Sequence, residues 1–130
     1  MKTFTAVLLL SASLAGAAGS IDPLDVGPDH YKKVFENEQV RVMEVVFEAG
    51  SKIAMHKHPD HFAYVLEGGS LRIKNDAGKT IDAALTPGQV LWIAAESHEA
   101  ENTGTTRVKV LVTELKGRGK AGHPAKKKAP

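Results

Sequence analysis

The chain has no cysteine among its 130 residues. That excludes a disulfide framework, a thiolate metal site and a cysteine nucleophile, so any metal must be held by nitrogen and oxygen. At roughly 100–200 residues per domain the length allows one domain. A full enzyme barrel or a dinucleotide-binding fold needs about twice as much chain. No window carries an amphipathic helix longer than a turn or two. There is no Ser/His/Asp arrangement with local support, no carboxylate pair at helical spacing and no phosphate-cradling glycine loop. An uninterrupted apolar run of about 20 residues, which a membrane-spanning helix requires, is also missing.

Charge is unevenly spread. Residues 18–115 hold ten Lys and Arg against fifteen Asp and Glu, an excess of five negative charges. Residues 116–130 hold six cations and no acid. The basic character is therefore a property of the tail, which argues against a nucleic-acid-binding fold, whose cations would cover a folded face. The tail, Lys116 to Pro130, has no large apolar side chain to offset its ordering entropy and is expected to be disordered. It suits contact with anionic surfaces, with no specific nucleic-acid partner.

The start of the chain has the three parts of a secretory signal: cationic Lys2, an apolar centre from Phe4 to Leu10, and small residues to Gly19. Ala15-Gly16-Ala17 fits a peptidase site, so residues 1–17 are expected to be removed by a cut near Ala17 or Ala18. The mature protein would be periplasmic or secreted. Residues 18–30, with two prolines and three aspartates, read as an irregular lead-in.

Between Tyr31 and Leu115 short apolar or alternating runs are punctuated by turns about every ten residues, the pattern of an antiparallel sandwich or small barrel. Val40–Phe47, Ala63–Leu66, Leu71–Lys74, Thr80–Ala83, Val90–Ile93 and Arg107–Leu115 read as strands. Thr86-Pro87-Gly88-Gln89 puts Pro and Gly where a type II turn needs them.

Three histidines fall within six residues, in His56-Lys57-His58-Pro59-Asp60-His61. On a strand, His56 and His58 share a face, so both rings reach one ion. After the break at Pro59, His61 starts a returning strand. His98, beyond the run containing Trp92, joins them if the sheets close face to face. Tyr64, Trp92 and Glu96 are candidates to line a pocket, although Tyr64 and Trp92 equally suit a core. Glu96, Glu99 and Glu101 are read as charges on a loop around His98. Asn102 is read as a turn or ladder residue, and His30 and His123 as unrelated.

These residues carry a resemblance to the cupin superfamily. Its first motif, Gly, five residues, His-x-His, three or four residues, Glu, six residues, Gly, is matched by Gly50, His56, His58 and Gly68, with His61 where the family has glutamate and a shorter loop. The second motif is matched by Pro87-Gly88, His98 and Asn102, while Ala94-Ala95-Glu96-Ser97 departs from its usual Pro-x-Gly. The chain is similar to small stand-alone cupins, some of them labelled beta-alanine degradation proteins. The resemblance implies an all-β cupin-like jelly-roll barrel over residues 31–115 and a homodimer. It also implies a divalent transition metal (Fe, Zn, Ni, Mn or Cu) on His56, His58, His98 and, as a fourth ligand or a pocket-lining group, His61. An all-histidine site leaves the ion its full charge and favours an anionic ligand. The functions expected are a metal-dependent enzyme (dioxygenase, isomerase or decarboxylase type) acting on a small organic anion, a binding module without turnover, or a barrel using its histidines as a structural cross-link.

Overall fold

The computed structural model describes residues 21–117. A short helix, α1 (Pro23–Val26), precedes nine strands: β1 (Tyr31–Glu36), β2 (Val40–Phe47), β3 (Lys52–His58), β4 (His61–Glu67), β5 (Gly69–Asn75), β6 (Thr80–Leu85), β7 (Val90–Ile93), β8 (Glu96–Asn102) and β9 (Val108–Leu115). They form two sheets, β1-β2-β9-β4-β7 and β3-β8-β5-β6, with every pair antiparallel. The domain is all-β, as expected.

Alternation along the strands builds the interior. In β9, Val108, Val110, Val112 and Glu114 are buried while their neighbours are only partly so. In β2, Met43, Val45 and Phe47 face the same way, and Val65 of β4 and Ile53 of β3 meet them in one cluster. Burial of each such side chain stabilises the fold by about 1.5–3 kcal/mol. Turn chemistry sets the register. Gln89 N donates to Thr86 O at 3.0 Å with Gly88 at φ +87°, the expected turn. Between β4 and β5, a Cβ at Gly68 would collide with the Leu85 carbonyl oxygen, so only glycine lets β6 pass.

Three expectations are corrected. The lead-in holds one helical turn, Pro23–Val26: Asp22 caps α1 by accepting from Leu24 N at 2.9 Å, and Pro23 opens the helix, where its missing N–H costs nothing. Lys57 N then donates to Ile21 O at 2.8 Å, covering the edge of the second sheet at β3. Lys116 belongs to the body, its N–H donating to Gln39 O and its ammonium pairing with Glu36 at 2.6 Å. Residues 96–102 form a strand, not a loop. Its inward face is His98, Ala100 and Asn102, polar or small, so it lacks the apolar alternation by which strands are recognised. The segments expected to be a signal peptide and a disordered tail lie, apart from Lys116 and Gly117, outside the described residues.

Candidate metal centre

A bulge builds the first half of the site. The pairing of β3 with β8 slips between Ile53 and His56, so Ile53 and His56, three residues apart, both face inward. A bulge re-aims a side chain in this way. Normal alternation then resumes and puts His58 on the same face. Their rings stand 4.8 Å apart, edge to face. His98 lies directly opposite His56 in the register, with its ring 4.8 Å from that of His56 and 5.2 Å from that of His58. His98 therefore comes from the adjacent strand of the same sheet, not across the barrel as expected. The residue that crosses from the facing sheet is His61 at the head of β4, 4.6 Å from His58 and 6.4 Å from His98 between ring centroids.

One ligand atom from each of His56, His58 and His98 lies within 4.8 Å of the others, a set able to hold a metal ion. His61 stands beside this set and not in it. The ring tautomers fit the same use. His56 Nδ1 donates to Ala54 O at 2.7 Å, His58 Nδ1 to Glu114 Oε1 at 2.6 Å, His61 Nδ1 to Pro59 O at 2.8 Å and His98 Nδ1 to Glu96 Oε1 at 2.8 Å. Each Nδ1 thus carries the proton and each Nε2 keeps its lone pair, the state in which histidine ligates metals. Burial favours the neutral rings. Desolvation pulls His56 and His61 down to about 4 and takes His98 below the ordinary value against the opposing Glu96.

Three further residues complete the centre. Tyr31, the first residue of β1, donates its hydroxyl to His56 Nε2 at 2.9 Å and lies 3.3 Å from His58 Nε2. Burial first, then the nearby Glu114 charge, raise its phenol well above the usual range. Glu114 is buried, and desolvation works against its charge, but hydrogen bonds from His58 and Arg41 outweigh that and hold its carboxyl low. Arg41 donates to Glu114 at 2.6 Å and to Asp22 at 2.7 Å. His61 stands where the family has a carboxylate, and the two carboxylates near the cluster, Glu114 and Glu96, lie behind the rings of His58 and His98. Sequence reasoning missed Tyr31, Arg41 and Glu114. For two of them a signal exists: Arg41 and Glu114 occupy the inward register of β2 and β9, where every other position is apolar. A charge on that face implies a buried partner. Tyr31 begins a strand otherwise exposed and carries no such signal.

His58, His61, His98, Tyr31 and Glu96 open onto a cavity of about 130 Å³ between the sheets. Glu96 lines it as expected. Tyr64 and Trp92 do not: they are 41% and 61% exposed. With His61 facing in, alternation turns Ala63 and Val65 inward and Tyr64 outward, and Trp92 pairs opposite Phe62 on that outer face. Asn102 is a ladder residue at the end of β8, opposite Leu71, its side chain donating to Phe47 O and Thr106 O and accepting from Gly104 N. His30 bonds to Val46 O, away from the cluster.

The chain is similar to a cupin domain from Bordetella pertussis Tohama I (24% identity, TM-score 0.62, covering 67% of this chain and 92% of that one). It is also similar to an RmlC-like cupin protein from Desulfovibrio desulfuricans (25%, TM-score 0.51, 84% and 98%). A third likeness is to a conserved protein with a double-stranded β-helix domain from Klebsiella pneumoniae (20%, TM-score 0.56, 68% and 79%). These likenesses show the fold. No curated protein matches the chain. The family model described as a cupin domain matches residues 43–114, which include all three clustered histidines, and the chain belongs to the cupin family.

Proposed function

We propose that the protein is an exported, metal-dependent cupin enzyme acting on a small organic anion. The observation that carries this reading is the set of three imidazoles, each with its Nδ1 spent on a fixed acceptor and with one ligand atom within 4.8 Å of the others', where the Tyr31 hydroxyl is the one group at the Nε2 of His56 and His58 among the described residues, beside a cavity. His56, His58 and His98 would hold the ion. When bound, a divalent transition metal supplies Lewis acidity and, if it is iron, dioxygen chemistry.

The chain's own residues do the rest. Glu114 and Glu96 hold two of the rings at the angle ligation needs, and Arg41 fixes Glu114. His61, outside the compact set, is left to accept a hydrogen bond at Nε2 where it lines the cavity. Tyr31 supplies a hydroxyl at the same point. The walls keep water from whatever binds. Dioxygenase, isomerase and decarboxylase chemistry all fit this arrangement. Export is supported by the tripartite start of the chain. The expected homodimer is supported by the outer face of β4 and β7, where Val90, Trp92 and Tyr64 are exposed next to an edge that no other described strand pairs.

The test is elemental analysis of the purified full-length chain, calorimetric metal titration, and oxygen uptake with small diketones and keto acids. Near-stoichiometric metal, lost in His98→Ala by more than 100-fold in affinity, supports the centre, as expected for a missing ligand. No affinity for any of the five metals overturns it. Metal without turnover of any probe favours a binding module.

A further inference from the structure

The cavity wall is far more one-sided than a general anion pocket needs to be. Its polar members, Tyr31, His58, His61, Glu96 and His98, gather at one end. The strand register explains why: His61 pairs with Glu114 and Ile93 at one end of β4, while Ala63 and Val65 succeed it along the same inward face. Away from that end the wall is aliphatic or aromatic, including Leu71, Ala83, Leu85, Leu91 and Val110. Among the described residues no Lys or Arg lines the cavity. Arg41 and Lys57 border a second depression, with Ile21 and Pro59, that shares only His58 with the cavity lining, and the Arg41 guanidinium is held by Asp22 and Glu114. The single acid of the wall, Glu96, is engaged by His98.

Each fact removes a class of ligand. A second negative charge would be buried without a cation. A sugar or polyol would lose water from each hydroxyl with no partner to replace it. A β-amino acid would bring an ammonium to a wall whose only carboxylate is taken. What remains is a body that prefers to be dry. The volume, about 130 Å³, is close to that of an apolar protein cavity able to take benzene.

Resting on the metal-centre reading above, we infer that the substrate is a monoanion with one metal-binding head and an apolar body of about benzene size, such as a short-chain or aromatic monocarboxylate or enolate. Head and body are recognised separately: the head at the histidine end, the body by the aliphatic wall.

The experiment measures binding of acetate, butyrate, hexanoate, benzoate, adipate and 6-aminohexanoate to the metal-loaded protein by calorimetry, with metal content determined in every sample. Affinity should rise about fourfold per methylene from acetate to hexanoate, the gain for burying one CH₂. Adipate and 6-aminohexanoate, of the same length, should bind at least tenfold more weakly than hexanoate. Ala83→Leu, on the edge strand β6, should fill the wall, erase the gain of hexanoate over acetate, and leave acetate affinity and metal content unchanged. A flat chain-length series, or adipate equal to hexanoate, on fully loaded protein overturns this inference while the metal centre stands. Protein that loads no metal overturns the centre itself, and the inference with it.

Discussion

At the end of the interior away from the histidines, Asn102 is fully buried, and its side chain meets two carbonyls and one N–H of the surrounding turns. At the other end His56, His58 and His98 are buried as well, yet each is satisfied on one nitrogen and, among the described residues, only Tyr31 touches the other nitrogens of His56 and His58. His98 sits on the same inward face of β8 as Asn102. The contrast separates a polar group that closes a structure from polar groups arranged for something else. Turn closure uses every hydrogen-bonding atom it buries. A ligand site orients one side of each ring and leaves the other side to an exchangeable partner, here the Tyr31 hydroxyl at His56 and His58.

The sharpest way to break that contrast is to cut each end and read both properties. Asn102→Ala strands three backbone groups, each costing roughly 1–3 kcal/mol when unsatisfied. It should lower stability in urea by about 3 kcal/mol or more with metal affinity unchanged. A loss of metal affinity in this variant, after correction for unfolded protein, would erase the distinction between the ends.

Acid should act on the histidine end. His56 and His61 are held near 4 in the fold against about 6.5 in an unfolded chain. Their folded values are depressed, so the unfolded chain binds more protons between these limits. Stability of the metal-free protein is full above about 6.5 and falls as pH drops towards 4, by something on the order of 3 kcal/mol for each ring. Urea midpoints across that range check it. A flat profile would mean that the rings are not buried neutral.

Next in size is Glu114→Gln. The amide keeps the shape but loses the charge that orients His58 and pairs with Arg41, so metal affinity should fall about 10–100-fold. Titration of both proteins with the same metal reads the change, and affinity within twofold of the parent would make Glu114 merely structural.

The smallest expected effect belongs to Tyr31→Phe. Its hydroxyl bond to His56 Nε2 occupies a lone pair that a metal needs. Removing it should cost the metal-free protein about 1 kcal/mol and tighten metal binding by a corresponding factor of about five, one free energy seen twice. Weaker metal binding would instead make Tyr31 a ligand.

Much of this architecture was legible in the residues. The bounds of β2 and β7, the turn at Gly88 and the histidine pair on β3 follow from apolar alternation and turn chemistry, which are local. β8 escaped because its inward face carries His98, Ala100 and Asn102, with no apolar period to betray it. Tyr64 and Trp92 were misplaced as pocket candidates because residue type, not parity relative to His61, suggested them. Glu114 and Arg41 were missed for a related reason: in a strand sequence a charge reads as solvent-facing unless its register is counted.

What the sequence determined by itself was the fold class, the histidine cluster and the absence of thiol chemistry, because spacing within a strand fixes which side chains share a face. Which histidine lies in the same sheet and which reaches over from the facing one was decided by tertiary structure. So was the placing of carboxylates behind the rings and of the aliphatic wall beyond them. Those depend on strand order, on one bulge in β3 and on the pairing of residues far apart in the chain, such as Arg41 with Glu114, 73 positions away, which no local pattern encodes.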